Sequence, residues 1–145
     1  MEKLVETLAT FFYVGRLPKA PGTYASVVGL GLAWCFEGTL FHFTLFWTLL
    51  GLWVCAPAVK FFQDPDPGVF VLDEVCGMLV SVLWIPKSIV LFLAAFLLFR
   101  ALDIWKPWPI RSIEKWKNRC SIMADDLAAG LIANGILQFV TRFVI

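Results

Sequence analysis

Charge, histidine and paired cysteines are scarce in this sequence. Only 16% of its 145 residues are charged and 60% are hydrophobic, against about 25% charged and about 45–50% apolar in an ordinary soluble domain. A soluble chain this short leaves much of its surface in water and could not hide that much apolar side chain. With a mean hydropathy of +0.81, lipid is the expected solvent for much of it. The net charge is +1 and no basic stripe dominates, which argues against nucleic acid as a partner.

The single histidine is His42, so histidine-based phosphoryl transfer has little to work with. None of Cys35, Cys55, Cys76 and Cys120 forms a CxxC pair, which argues against zinc. None is followed by arginine six positions on, so a cysteine-phosphatase loop is missing, and all four are read as reduced packing residues. Repeats and low-complexity segments are absent. Glu2 and Glu6 interrupt the N-terminus, so no signal peptide is expected there.

What remains is a set of apolar segments, read as one all-α, polytopic membrane bundle spanning residues 1–145. Thr39–Val59 contains no Asp, Glu, Lys or Arg and meets the requirement of about 20 residues for crossing the hydrocarbon. Ser88–Phe99, extended by Ile104 and Trp105, is a second span. Leu127–Val140, starting near Ser121, is a third. Tyr24–Phe36 can cross if its helix begins at Pro21, since proline suits a first turn. Val75–Ile85 is short: it crosses if the helix begins near Leu72, or it is a re-entrant segment. Five spans are expected, with three or four plus a re-entrant hairpin as the alternative. Leu4, Val5, Leu8, Phe11 and Phe12 follow helical spacing, either as an amphipathic helix on the membrane surface or as one packed on the protein. Lys60–Val71 and Lys106–Cys120 are read as linkers.

With five crossings, Lys3, Arg16, Lys19, Lys60, Arg100, Lys106, Arg111, Lys115, Lys117 and Arg119 fall on one side, and Lys87 and Arg142 on the other. The basic side is expected to be cytoplasmic. The acids follow it. Asp73 and Glu74 open one apolar helix, Asp103 closes another, and Asp125 and Asp126 open a third. Carboxylates at membrane depth cost roughly 2.5–3.5 kcal/mol each on insertion scales. Five at one depth call for compensation, and hard oxygen donors without thiolate or imidazole suit magnesium or manganese. Asp73 and Asp126 are expected in first turns, where the helix dipole favours negative charge.

Cations accompany them. Lys106 lies three residues after Asp103, on the same helical face, and Pro107 and Pro109 end that helix. Arg16 and Lys19 flank a turn before Thr23 and Ser26, which share a face at a helix start. Free N–H groups and hydroxyls there form a candidate phosphate site; Gly22, Ser26 and Gly29 also read as a small-residue packing stripe. Asp64-Pro-Asp66-Pro-Gly68 is similar to an aspartyl-phosphatase motif, but its prolines exclude the strand that would carry a nucleophile, and it is read as a turn. The DGxxAR pattern of CDP-alcohol transferases is absent. Metal-assisted attack of water on a phosphomonoester is the chemistry left, with a cation transporter using the same carboxylates as the alternative.

Four motifs carry a resemblance: Pro21-Gly-Thr-Tyr-Ala-Ser26, Asp73-Glu-Val-Cys-Gly77, Phe99-Arg-Ala-Leu-Asp-Ile-Trp-Lys-Pro-Trp-Pro-Ile-Arg111, and Ile122-Met-Ala-Asp-Asp126 with Ala129-Gly130. In this order and spacing the chain closely resembles the phosphatidylglycerophosphatase A family. The resemblance implies a bacterial, all-helical inner-membrane enzyme that needs Mg²⁺ and hydrolyses phosphatidylglycerol phosphate to phosphatidylglycerol and inorganic phosphate. Asp73, Glu74, Asp103, Asp125 and Asp126 match the family's acidic positions and Lys106 its lysine. Thr23 and Ser26 match its Gly-Thr-x-Gly-Ser turn, with Ala25 in place of the usual glycine. The acids are thereby expected to hold the metal, with Glu74 as ligand or base. Lys106, assisted by Arg16, Lys19 or Arg111, is expected to grip the phosphate.

Overall fold

The computed structural model describes residues 1–116, 118 and 121–145. Lys117 and Arg119, counted above on the basic side, and Cys120, read above as reduced, lie outside the described residues; Cys35 and Cys76 are free thiols. The described residues form helices and no strand: α1 (Glu2–Ala9), α2 (Pro21–Cys35), α3 (Leu40–Phe62), α4 (Leu72–Ser81), α5 (Ile89–Trp105), α6 (Ile110–Glu114) and α7 (Ser121–Phe143). Pro21 occupies the first turn of α2, where its missing N–H costs nothing.

Two helical stretches, Glu37–Phe62 and Ser121–Phe143, are long and apolar enough to cross a membrane. α2 and α5 have 15 and 17 residues, or roughly 22 and 25 Å at 1.5 Å per residue. α4 has only 10, or roughly 15 Å, about half the hydrocarbon thickness. The chain then continues through a turn at Val82–Trp84 toward the end of the bundle where Lys87 pairs with Glu37 at 3.3 Å.

α4 is the centre of the molecule. Every one of its residues except Glu74 is buried, so it is a core helix enclosed on nearly all sides, packed by α2, α3, α5 and α7. Its contact with α7 is backbone on backbone: a Cβ added at Gly130 would lie 2.3 Å from the Gly77 carbonyl oxygen. The short helix leaves carbonyls open at its C-terminal end, inside apolar surroundings where an unpaired group is costly. Asn134 of α7 meets this need. Its amide nitrogen donates to the Ser81 and Leu83 carbonyl oxygens at 3.1 and 2.8 Å, and its own carbonyl accepts from Gln138 at 2.8 Å.

Three expectations are altered. Of its two readings the N-terminal helix takes the second, α1 packing on α3 through buried Val5 and Ala9, but the helix stops before Phe11, because Phe11, Phe12 and Tyr13 turn left-handed with φ of 46°, 54° and 68°. The segment Lys106–Cys120 contains α6, which packs on α7. α7 begins at Ser121 and has no acid in its first turn, so the helix-dipole argument holds for Asp73 but not for Asp126. The turn reading of Asp64-Pro-Asp66 stands, with the Asp66 N–H donating to Asp64 Oδ1 at 3.0 Å.

Candidate active site

The acids converge where α4 begins, α5 ends and α7 enters the bundle. Asp73, Glu74 and Asp126 each offer one carboxylate oxygen, and these oxygens lie within 4.8 Å of one another. Ligands opposite each other on Mg²⁺ stand about 4 Å apart, so this spacing is close to that of a shared ion. Asp73 and Asp126 are 8% and 4% exposed. Asp73 and Asp125 play matching local roles: Asp73 Oδ1 accepts the Glu74 N–H and Asp125 Oδ1 accepts the Asp126 N–H, both at 2.9 Å. Each pair thus fixes its first carboxylate by the backbone of the second.

The other two acids stand beside this trio, each with a cation. Asp103 pairs with Arg100 one turn earlier on α5. That pairing offsets the unfavourable position of an acid near a helix C-terminus. Asp125 accepts a hydrogen bond from Lys106 Nζ at 2.9 Å, and Glu114 of α6 accepts another at 2.9 Å. Lys106 caps α5 in a left-handed conformation, φ 49°, which turns it back over α7. Partial burial pulls its ammonium toward neutrality, but hydrogen bonds to Glu114 and Asp125 outweigh this and hold its pKa above the ordinary lysine value.

Two oxygens of the trio, Glu74 Oε2 and Asp126 Oδ2, are buried without a hydrogen-bond partner among the described residues. Leaving a buried charged acceptor unpaired is costly, and like charges at this range add repulsion. A divalent cation removes both costs, and an all-oxygen donor set suits Mg²⁺. The residues present therefore fit such an ion.

The remaining predicted residues divide. Thr23 stands in the first turn of α2, whose start closes on the cluster: a Cβ added at Gly22 would lie 2.7 Å from Glu74 Oε1 and 3.4 Å from Arg100 Nη1. Ser26 is buried, and its hydroxyl donates to the Gly22 carbonyl at 2.9 Å, so its proton is used inside the helix. Arg16 pairs with Glu6 of α1. Arg111 donates to the Trp105 carbonyl at 3.3 Å, which staples the turn between α5 and α6. Lys19 is exposed, with φ 74°. Arg100 and Glu114 were missing from the predicted site. The signal for Arg100 was its position three residues before Asp103, the same spacing that singled out Lys106.

The sequence profile of the phosphatidylglycerophosphatase A family matches residues 7–141. The chain belongs to this family. It is 34% identical to phosphatidylglycerophosphatase A of Escherichia coli, over 92% of this chain and 81% of that one. It is 37% identical to phosphatidylglycerophosphatase A of Haemophilus influenzae, over 89% and 83%. A third relative, from Bacteroides thetaiotaomicron, is 33% identical over 95% and 93% and is provisionally named a phosphatidylinositol-3-phosphatase. No solved structure matches the chain. Membership of the phosphatidylglycerophosphatase A family makes the chain a phosphatase, as the motifs implied.

Proposed function

We propose that this chain hydrolyses phosphatidylglycerol phosphate to phosphatidylglycerol and inorganic phosphate at the cytoplasmic face of a bacterial inner membrane, with Mg²⁺ held by Asp73, Glu74 and Asp126. The observation that carries this reading is the meeting of three carboxylates from two helices, two of whose buried oxygens have no partner among the described residues. When bound, the ion supplies a positive field that neutralises phosphoryl oxygens and eases deprotonation of a nearby water. Glu74, the least buried of the trio, accepts the proton of the attacking water. Lys106, held charged by Asp125 and Glu114, screens the phosphoryl group as the phosphorus–oxygen bond to the glycerol breaks. Asp103 and Asp125 orient Arg100 and Lys106 toward the same centre.

The membrane reading uses five passes of the chain: α2, α3, α4 with its following turn, α5 and α7. Of the ten Lys and Arg among the described residues, all but Lys87 and Arg142 then fall at the end that holds the acids, which makes that end cytoplasmic. A site at helix ends lets the phosphate stay in the polar interface while the tails stay in lipid. A cation-transport reading fares worse. At the opposite end Glu37 is paired with Lys87, and no second acidic cluster among the described residues continues a path. Phosphatidylinositol 3-phosphate is a second substrate reading, favoured by the name of the Bacteroides relative.

The test is release of inorganic phosphate by the purified chain in detergent, supplied in parallel with phosphatidylglycerol phosphate and phosphatidylinositol 3-phosphate, with Mg²⁺ and with chelator. Mg²⁺-dependent release that Asp73→Asn and Asp126→Asn abolish is expected. Full turnover in chelator, or in both variants, would remove the metal assignment.

A further inference from the structure

Arg100 of α5 stands beside the carboxylate trio. A Cβ added at Gly22 would touch both, 2.7 Å from Glu74 Oε1 and 3.4 Å from Arg100 Nη1, and the glycine keeps side-chain atoms out of the space these groups border. The Arg100 side chain is 16% exposed, and its Nη1 donates to Asp103 Oδ2 at 2.5 Å. That is the one hydrogen bond the guanidinium makes among the described residues. Its Nε is buried with no partner. The Nε–Nη2 edge of a guanidinium is a planar fork whose two N–H groups match two oxygens of a single carboxylate or phosphate. A buried charged donor without an acceptor is costly, so this edge calls for an anion.

The other candidate cations are differently placed. Lys106 spends two of its three N–H donors on Asp125 and Glu114. Arg16 is held by Glu6 and Arg111 by the Trp105 carbonyl, and Lys19 is exposed. Arg100 alone combines burial, a place beside the trio and an unused fork. Glu74 Oε2 and Asp126 Oδ2 lack a cation while Arg100 Nε lacks an anion, and both shortfalls at one place fit a phosphate bound together with Mg²⁺. We infer that Arg100 is a direct ligand of the phosphoryl group being transferred, gripping two of its oxygens through the Nε–Nη2 edge while Asp103 holds the guanidinium in position. The inference rests on the phosphatidylglycerol phosphate reading and adds to it a residue absent from the sequence-predicted set. Lys106 then supplies charge, and Arg100 supplies both charge and geometry.

Inorganic phosphate, the product, is the probe. The full chain in detergent with Mg²⁺ is compared with Arg100→Gln, Arg100→Lys and Asp103→Asn. Two readouts are taken: inhibition of phosphatidylglycerol phosphate hydrolysis by phosphate, and the rise in Tm that phosphate induces, which reports binding even in an inactive variant. Arg100→Gln is expected to weaken phosphate binding roughly 10- to 100-fold, as for loss of a charge-assisted pair. Arg100→Lys keeps the charge but loses the fork, and a weakening of about tenfold is expected. Asp103→Asn retains the fork and should weaken binding by no more than about threefold. An Arg100 that serves only to neutralise Asp103 gives a different pattern, with Arg100→Gln and Asp103→Asn acting alike and Arg100→Lys close to the unaltered chain; that pattern would overturn the assignment. Should Arg100→Gln not fold, Arg100→Lys decides by the same readouts. Failure of the lipid reading looks different again: phosphate binding that depends on Arg100, with no release from phosphatidylglycerol phosphate, would remove the substrate and leave Arg100 as a phosphate ligand.

Discussion

Gly130 of α7 stands against the Gly77 carbonyl of α4 so closely that a single methyl group on Gly130 would lie 2.3 Å from that oxygen. The contact sits one helical turn from Asp126 and one from Asp73, and so sets the separation of two of the three central acids. Gly130→Ala must push the helices apart. A destabilisation of about 1–3 kcal/mol is expected for such overpacking. Activity should fall further than stability does, because catalytic geometry tolerates little displacement. Thermal unfolding in detergent beside phosphate release at a temperature where the variant is folded checks this; an active Gly130→Ala protein would show that the helices need not touch.

Asp126→Asn should separate stability from activity. It removes one buried negative charge from a crowded group while keeping shape. In metal-free detergent solution the variant is expected to be more stable than the unaltered chain, by on the order of 1 kcal/mol or roughly 3–5 °C in Tm. Added Mg²⁺ should raise the Tm of the unaltered chain and move that of the variant little, since stabilisation tracks ligand affinity for the folded state. Identical Mg²⁺-induced shifts would exclude Asp126 as a ligand.

Lys106 should remain charged across the whole working range. Its folded pKa lies above its ordinary value, so the stability it contributes is fully present below the unfolded value of about 10.4 and is lost only as pH rises through the higher folded value. No alkaline limb from this residue is therefore expected below pH 10 in the rate profile. Lys106→Met leaves Asp125 without its cation, and a fall in kcat of roughly 100-fold or more is expected for a lost transition-state contact. Lys106→Arg should recover part of it. A pH–rate profile of the unaltered chain with Lys106→Met and Lys106→Arg alongside decides the matter.

Asn134 should act on the protein through α4. Replacing it with leucine keeps the volume but strips the Ser81 and Leu83 carbonyls of their donor. Each buried acceptor left unpaired costs about 1–3 kcal/mol. A lower Tm and faster hydrogen exchange at the C-terminal end of α4 are expected, while Gln138→Leu, which removes only the outer link of the chain, should cost less.

Most of the secondary structure was legible because the apolar runs of this chain are long, which makes hydrophobic run length a direct signal. The starts of α2 at Pro21 and α4 at Leu72, and the stretch that became α3, could be read that way. The failures were local. The left-handed turn at Phe11–Tyr13 keeps helical spacing of apolar residues while breaking the backbone, and α6 is too short for periodicity to mark.

By itself the sequence determined that the chain is helical and apolar, which residues are acidic at the helix ends, and, through its motifs, the phosphatidylglycerophosphatase A family. These are properties of composition, spacing and order along one dimension. Only the tertiary structure decided which acids bring their oxygens within 4.8 Å of one another and which are held by Arg100 and Lys106. It also decided that Arg16 pairs with Glu6, and that a ten-residue helix can stand at the centre with its last carbonyl, Ser81, and that of Leu83 in the turn beyond bonded by Asn134. The reason is physical: partner choice depends on distances across helices, and those are set by two glycines that let α4 and α7 touch, a contact that spacing along either helix cannot specify.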